Sequence, residues 1–293
     1  MTEPVATAPE TAPAAAEAPV ADKPKKKEDS FFVFVIKLVL IVVIFRSFVF
    51  APFSIPSESM MPGLRIGDYL LAAKWPYGYS KYSLPWSAPL IPGRLLAGAP
   101  NRGDVVIFKA PPGNDTDYIK RVIGLPGDTV QMKGGVLWLN GAPVPKERIG
   151  DVLVPVTANM REAAERDGRL PCVLEVFAAT DSDGQPACRY PQYRETLPNG
   201  VTYSVIDMGP MPKDDTEPQI VDEGSVFLMG DNRDNSMDSR YPAVQGGGIG
   251  IVPQANLVGR ATVMMWSTDG SAEWIKPWTW FTAARWSRIG KTF

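Results

Sequence analysis

Two serines lie in a short segment whose backbone is restricted on both sides by proline. The segment IPSESMMP covers residues 55–62, with Pro56 directly before Ser57 and Pro62 three residues after Ser59. Each proline ring fixes its own φ angle and disfavours a helical conformation of the residue before it. A nucleophilic serine needs such a fixed, exposed turn together with a base. Turns of serine and proline are common, so this segment alone indicates a nucleophile only weakly.

The base cannot be imidazole, because the chain contains no histidine. This count excludes Ser-His-Asp and Cys-His catalysis and any His-ligated metal site. A lysine is the alternative base, in the segment YIKRVIGLPGD at residues 118–128. On a strand, Tyr118, Lys120 and Val122 share one face, where burial would lower the lysine pKa and leave an amine able to accept a proton. Spacing alone nevertheless favours an ordinary surface lysine beside Arg121.

A third polar segment, GDNRDNSMDSR at residues 230–240, predicts a hydrogen-bonded loop. A solvated turn and a calcium loop are the alternatives. The calcium loop fits poorly, because the glycine and the terminal glutamate of an EF-hand are missing at their proper spacing.

The composition sets the broad class. The chain has 293 residues, 45% hydrophobic and 21% charged, with a formal net charge of −2. It should bury a core, and the lack of surplus Lys and Arg argues against a nucleic-acid partner. The two cysteines, Cys172 and Cys188, are too few for a thiolate metal cage. They form either one disulfide, if they lie outside the cytosol, or two buried thiols. We expect no metal and no cofactor.

An apolar run near the N-terminus predicts a membrane anchor. Residues 31–53 would span roughly 34 Å as a helix, against a hydrocarbon core of about 30 Å. Lys37 and Arg46 can reach the two interfaces, and the lysines at 23 and 25–27 place the N-terminus in the cytoplasm. The prediction is a disordered cytoplasmic tail at 1–30, an anchor at 31–53 and an extracytoplasmic domain at 54–293.

Two alternatives to an uncleaved anchor stay open. One is a buried helix of a soluble protein. The other is a cleaved signal peptide, because Val49-Phe50-Ala51 resembles a cleavage site. Pro52 would then follow the cut, which argues for the anchor. Pro52 as the N-terminal residue of the membrane form would contradict it.

After the anchor, short β-rich runs alternate with turns such as LPGD and NGAP, which predicts a mainly β domain. Val156–Arg166 is the one stretch with a helical period. Residues 136–220 are more polar and carry both cysteines, which indicates an accessory insertion. The aromatic segment Lys74–Ile91 is interpreted equally well as a loop over the core or as a surface at the bilayer interface.

Together these motifs resemble bacterial type I signal peptidases, the membrane-anchored Ser-Lys proteases. PSESMMP is similar to the nucleophile motif of that family, RGDVVIFK at 102–109 to the next, YIKRVIGLPGD to the lysine motif and GDNRDNSMDSR to the last. NLVGRA at 256–261 and WSRIG near the end add to the likeness. The single anchor and YGYSKYSLP at 77–85 look most like the alphaproteobacterial branch. The resemblance is weak across the insertion and implies a signal-peptidase-type β fold.

The resemblance implies a role for each matching residue. Ser59 would be the nucleophile and Lys120 the general base, while the Ser59 amide and the Ser57 hydroxyl would form the oxyanion hole. Ser236 and Tyr118 would orient the lysine. Asp238, Arg240 and Arg102 would be structural residues near the site. Two shallow apolar pockets for the substrate would be lined by Phe53, Ile55, Met60, Leu64, Leu70, Ile107 and Ile119.

The function implied is removal of signal peptides from exported preproteins after an Ala-X-Ala-type site. The enzyme would lie in the inner membrane of a bacterium, with its catalytic domain in the periplasm, close to the export translocon and the lipid bilayer. A related Ser-Lys β domain occurs in self-cleaving repressors, but those need an N-terminal DNA-binding domain. A non-catalytic anchored β domain is the third hypothesis, and loss of Ser59, Lys120 or Ser236 would be its signature. All three residues are present.

Overall fold

A computed structural model describes residues 30–273 and 275–293. The division between the two compact units of the chain falls between Val39 and Leu40. Three α-helices are described, α1 (Phe31–Phe48), α2 (Ala158–Arg166) and α3 (Trp278–Ala283). The strands of the first half are β1 (Phe50–Ser54), β2 (Asp68–Ala73), β3 (Tyr79–Ser80), β4 (Arg94–Leu95), β5 (Val105–Lys109), β6 (Asp117–Gly124), β7 (Thr129–Lys133), β8 (Val136–Leu139) and β9 (Ala142–Pro143). Those of the second half are β10 (Lys146–Pro155), β11 (Ala178–Thr180), β12 (Pro186–Thr196), β13 (Thr202–Ile206), β14 (Gln219–Ile220), β15 (Ser225–Met229), β16 (Val252–Pro253) and β17 (Leu257–Ser267).

The mainly β fold expected from the sequence is confirmed. Within the described ranges, the largest sheet has seven antiparallel strands in the order β1-β2-β17-β5-β6-β15-β16. Strand β17 lies between β2 and β5 although it comes last in the chain, so residues far apart in sequence complete one sheet. The strands β1 and β6, which precede and carry the predicted site, belong to this sheet.

The predicted anchor at 31–53 is shorter in the structure. Helix α1 ends at Phe48, and the last apolar residues form strand β1, which pairs with β2. Pro52 gives a physical reason, because its missing N–H breaks a helix and its ring favours an extended residue before it. Helix α1 is long and apolar enough to cross a membrane by length and composition, with a mean hydropathy of 2.6. The helix thus has the properties expected of a membrane anchor, and its service as an uncleaved anchor stays a prediction.

The predicted insertion at 136–220 forms strands of its own and also packs on the large sheet. Strands β10 to β13 build a separate four-stranded sheet, whereas β8 and β9 join β7 and β14. Leu137 and Val205 of the insertion share an apolar cluster with Ile123 and Phe227 of the large sheet. The predicted helix at Val156–Arg166 is α2, which begins two residues later, after Thr157 caps it by accepting from the Met160 amide.

The aromatic segment Lys74–Ile91 contains both buried and exposed rings. Tyr77 is buried and its hydroxyl donates to Asp104 at 2.8 Å, whereas the Trp86 side chain is almost wholly exposed. The two interpretations of the segment each describe part of it, and its place at the bilayer interface stays a prediction.

Candidate active site

The predicted nucleophile and base lie side by side. Ser59 stands in the turn after β1, and Lys120 lies in β6, which pairs with β5 on one side and β15 on the other. The lysine Nζ donates to the Ser59 Oγ at 2.6 Å, and both residues are buried. The Tyr118 ring centroid is 5.7 Å from Nζ. The two motifs, 61 residues apart in sequence, thus meet within hydrogen-bond distance.

Burial changes the protonation of the lysine. Lys120 is only 4% exposed, and this desolvation lowers its pKa to about 8, although Asp238 and Asp231 act in the opposite direction. An ordinary lysine has a pKa near 10.4. At pH 7, roughly a tenth of the molecules therefore carry a neutral amine at this position. The expectation of a surface lysine, which spacing alone favoured, is wrong, because the side chain is buried against the turn that carries Ser59.

Ser57 lies at the open side of this pair. Its Oγ is 3.4 Å from the Ser59 Oγ, and the residue is exposed. The hydroxyl and the Ser59 amide come from the same turn, so both can reach an atom bonded to the Ser59 Oγ. Their service as an oxyanion hole remains a prediction.

The loop at 230–240 packs directly against the serine turn. The Asn232 amide donates to the Ser59 carbonyl at 3.1 Å. A β-carbon at Gly230 would lie 2.5 Å from both the Ser59 carbonyl oxygen and the Ser236 Cβ, so only glycine allows the two segments to approach this closely. The loop thus fixes the height of Ser59 above the sheet.

Ser236 makes no hydrogen bond to the lysine in this structure, and its orienting role stays a prediction. The residue is buried, but among the residues described its Oγ has no hydrogen-bond partner. The orienting role that the resemblance implies is therefore not realised by a formed hydrogen bond here, and Ser59 is the hydroxyl that contacts Lys120.

The acids and arginines around the site form separate ion pairs. Asp238 accepts from Arg240 Nε and Nη2, both at 2.9 Å, and also from the main-chain amides of Gly230 at 3.0 Å and Arg240 at 3.2 Å. Arg121 binds Asp231 through two hydrogen bonds of 2.8 and 2.6 Å. Asp238 and Arg240 are thus paired as the resemblance implied, in the loop that follows β15.

Arg102 lies further from the site. Its Nη1 is 2.8 Å from the Asp128 carboxylate and donates to the Ile123 carbonyl at 2.6 Å. The arginine therefore braces the turn that follows β6. Its structural contact is with the strand that carries Lys120, rather than with the lysine itself.

The seven predicted pocket residues come together, but mostly inside the core. They all belong to one apolar cluster, in which Phe53 is the partly exposed member. The other six, Ile55, Met60, Leu64, Leu70, Ile107 and Ile119, are at most 8% exposed. These side chains pack on each other, so any substrate pocket above them is shallow.

Cys172 and Cys188 are bonded to each other in the structure, with their Cα atoms 5.5 Å apart. The bond joins the segment after α2 to strand β12. It lies in an apolar cluster that also contains Met61 of the serine turn.

Two acids near the site had no role in the sequence analysis. Glu58, between the two serines, is 2% exposed and meets Arg169 at 2.9 Å. Glu195 is fully buried and holds Arg233 of the 230–240 loop through two hydrogen bonds of 2.6 Å. The position of Glu58 between two serines was a sequence signal that could have drawn attention to it. The arginine partners of both acids, however, are more than 35 residues away in sequence.

Comparisons with known proteins identify the relatives of this chain. The model of the family described as signal peptidase, peptidase S26, matches residues 29–266. Signal peptidase I of Rickettsia typhi is 32% identical over 256 residues, which covers 84% of this chain and 82% of that protein, and signal peptidase I of Rickettsia prowazekii matches equally well. A crystal structure of a signal peptidase I from Enterococcus faecalis shares 25% identity, covers 56% of this chain and 97% of that chain, and gives a TM-score of 0.27.

An apolar N-terminal helix, a mainly β domain and a long sequence match therefore agree on one class of membrane-anchored peptidase. The chain belongs to the signal peptidase family, peptidase S26, whose members are serine endopeptidases. The expected resemblance to type I signal peptidases of the alphaproteobacterial branch is confirmed.

Proposed function

We propose that the protein removes N-terminal signal peptides from exported preproteins by means of a Ser59–Lys120 dyad. The observation that carries the proposal is the 2.6 Å contact between the Lys120 Nζ and the Ser59 Oγ, made by a lysine whose burial lowers its pKa to about 8. A neutral amine at this distance can take the serine proton. No histidine is needed, and the chain has none.

The reaction begins when the deprotonated Lys120 accepts the hydroxyl proton of Ser59 and the Oγ attacks the carbonyl carbon of the scissile bond. The Ser59 amide and the Ser57 hydroxyl stabilise the oxyanion that forms. The lysine ammonium then gives its proton to the leaving amine, and the acyl-enzyme remains. Water, deprotonated by Lys120, attacks the ester, and the ammonium returns the proton to the Ser59 Oγ as the product is released.

The geometry of the sheet supports an extended substrate. Among the strands described, β1 is at the end of the sheet order and pairs with β2 alone. An extended peptide can add to such an edge through main-chain hydrogen bonds, and β1 leads directly into the serine turn. The packed apolar residues beneath leave room only for small side chains, which suits alanine at the positions −1 and −3 of a signal peptide.

The anchor supports a position at the bacterial inner membrane. The lysines before α1 would hold the N-terminus in the cytoplasm, so that the domain at 54–293 faces the periplasm, where exported chains leave the translocon. The disulfide is compatible with that compartment. Protease protection of tagged termini in membrane vesicles tests this orientation, and a protected C-terminus in spheroplasts would contradict it.

The experiment that tests the function compares detergent-solubilised wild type with Ser59→Ala on a preprotein that carries an Ala-X-Ala site. We expect cleavage after the −1 alanine by the wild type alone. The absence of cleavage by either folded protein on several preproteins would instead support the non-catalytic anchored domain.

A further inference from the structure

The glutamate between the two serines is buried beneath the nucleophile. Glu58 is 2% exposed, and its Oε2 accepts from the Arg169 Nη1 at 2.9 Å and from the Asn235 Nδ2 at 2.8 Å. Across residues 30–273 and 275–293, its Oε1 has no hydrogen-bond partner. Arg169 is therefore the one cation that compensates this acid directly.

The main chain around Glu58 is held as well, by the 230–240 loop. The Glu58 carbonyl accepts from the Asn232 Nδ2 at 3.3 Å, and the Ser59 carbonyl accepts from the Asn232 amide at 3.1 Å. Since Glu58 is joined to Ser59 by one peptide bond, a shift of the Glu58 main chain moves the nucleophile. The side chain of Glu58 is the only part of this turn that reaches Arg169 in the residues described.

Arg169 belongs to the insertion, which thereby reaches the catalytic turn. It follows α2, where its amide donates to the Ala164 carbonyl at 2.9 Å, and it precedes the disulfide-bonded Cys172 by three residues. The helix on one side and the disulfide on the other fix its main chain. Its guanidinium is 3.5 Å from Asp167, a neighbour in the same turn.

A second contact joins the same two regions. Met61 is 1% exposed and packs in an apolar cluster with Met160 and both cysteines of the insertion. The adjacent Met60 packs in the other direction, in the cluster of the large sheet. The serine turn is thus held between the sheet and the insertion, with Glu58–Arg169 as the polar contact and Met61 as the apolar one.

Electrostatics explains why the polar contact matters. A buried carboxylate without a partner is costly. Burial raises the pKa of Glu58, and the Arg169 guanidinium opposes that rise, as does the Asn235 hydrogen bond. Without the guanidinium, the acid would have to take a proton or move toward water. Either change would disturb a turn in which a displacement of about 1 Å can cost roughly 100-fold in rate.

We propose that Glu58 and Arg169 are positioning residues for the nucleophile, and that the insertion supplies Arg169 for this purpose. The proposal rests on the proposed function, because it concerns the geometry of the Ser59–Lys120 pair. Neither side chain contacts the reacting atoms, so both act through the main chain of Ser59.

The test measures kcat and KM of detergent-solubilised enzyme on one preprotein for Arg169→Ala, Glu58→Gln and the double variant. We expect each single variant to lower kcat about 10- to 100-fold with KM within about twofold, since the nucleophile moves but the substrate edge does not. The double variant should be no slower than the slower single variant, because both changes remove the same contact.

The matched control is Arg166→Ala, in the last turn of α2. It removes an arginine three residues before Arg169, and its exposed side chain meets Asp167 rather than Glu58. Its kcat should equal that of the wild type. Equal kcat values for Arg169→Ala and Arg166→Ala would overturn the proposal, as would a rise in KM alone or multiplied losses in the double variant.

Folding is followed by thermal unfolding of each variant. If Arg169→Ala unfolds, Arg169→Lys is measured instead, because lysine keeps the charge but not the planar guanidinium. A kcat between those of wild type and Glu58→Gln supports the positioning role. A kcat equal to that of wild type overturns the need for the guanidinium. An inactive wild type would overturn the proposed function together with this inference. An active wild type with an unaffected Arg169→Ala would overturn this inference alone.

Discussion

Two cationic side chains are buried to a similar extent in this molecule, but the pKa of one is lowered and the pKa of the other is raised. Lys120 is 4% exposed and Arg233 is 3% exposed. The lysine meets one hydroxyl, that of Ser59, whereas the arginine is bound by both oxygens of Glu195. Burial disfavours the charge in both cases. The difference lies in what the protein supplies in compensation.

The comparison shows that similar burial can lower the pKa of one cation, Lys120, while another, Arg233, stays charged in an ion pair. At Lys120 burial prevails and the pKa falls to about 8. At Arg233 burial is outweighed by Glu195, so the pKa is raised and the ion pair is permanent. A guanidinium stays protonated in either setting, so of these two residues only the lysine, whose burial is not outweighed by a paired carboxylate, can supply a neutral amine. Asp238, which could pair with the lysine, is engaged by Arg240 instead.

The largest effect is expected when Lys120 is replaced by a cation that cannot lose its proton. Lys120→Arg should abolish cleavage, a loss of at least about 100- to 10,000-fold, because a guanidinium stays protonated. Single-turnover cleavage measures this, with the exposed Lys133→Arg as a control for the substitution itself. Substantial turnover by Lys120→Arg would remove the lysine from the mechanism.

Removing the carboxylate from the other cation should cost stability instead. Glu195→Gln keeps the shape but leaves the Arg233 charge unpaired, so unfolding should become easier by about 3–5 kcal/mol. Urea or thermal unfolding measures the change. Glu147→Gln is the control, because Glu147 pairs with Arg194 at an exposed position, where ion pairs contribute at most about 1 kcal/mol. Equal effects of the two variants would contradict the role of burial.

The hydroxyl of Ser236 is a candidate to accept a hydrogen bond from the Lys120 ammonium after the lysine has taken up a proton. It is buried without a partner in the part of the chain that is described. If it accepts a hydrogen bond from the ammonium during turnover, Ser236→Ala should lower kcat roughly 10- to 100-fold while unfolding stays within about 1 kcal/mol of wild type. An unchanged kcat would leave Ser59 as the only hydroxyl that the lysine uses.

The smallest effect expected is a graded one, with pH. The active form of Lys120 is deprotonated and its pKa is lowered to about 8, so kcat/KM should rise about tenfold per pH unit below that value and level off above it. A profile from pH 6 to pH 10 on one preprotein measures this. A midpoint near the ordinary lysine value would show that burial does not act on the base in solution.

Much of the site could be predicted from the sequence, because its central residues sit in short, recognisable segments. Alternation predicted the strand that carries Lys120, and the structure places β6 at Asp117–Gly124. The prolines predicted a constrained turn at Ser59. The fold class followed from the many short β-rich runs.

The parts that were missed depend on contacts between distant segments. The end of α1 at Phe48 reflects the pairing of β1 with β2, which apolar composition does not reveal. Glu58 meets Arg169, which lies 111 positions further along, and Glu195 of β12 meets Arg233 of the 230–240 loop. No local pattern identifies such partners, because a buried, paired arginine or glutamate cannot be told from an exposed one by its sequence neighbours. The unpartnered state of Ser236 likewise depends on rotamers that spacing does not determine.

The connection between the apolar helix and Ser59 is short, and it limits the distance between them. Helix α1 ends at Phe48, β1 begins at Phe50, and Ser59 follows within the next turn. Even fully extended, the chain from Phe48 to Ser59 reaches only roughly 40 Å. Under the proposed function, this length of chain limits how far the nucleophile can lie from the bilayer. A scissile bond held farther from the membrane would then be out of reach whatever its sequence, so distance from the bilayer would help to select the cleavage site.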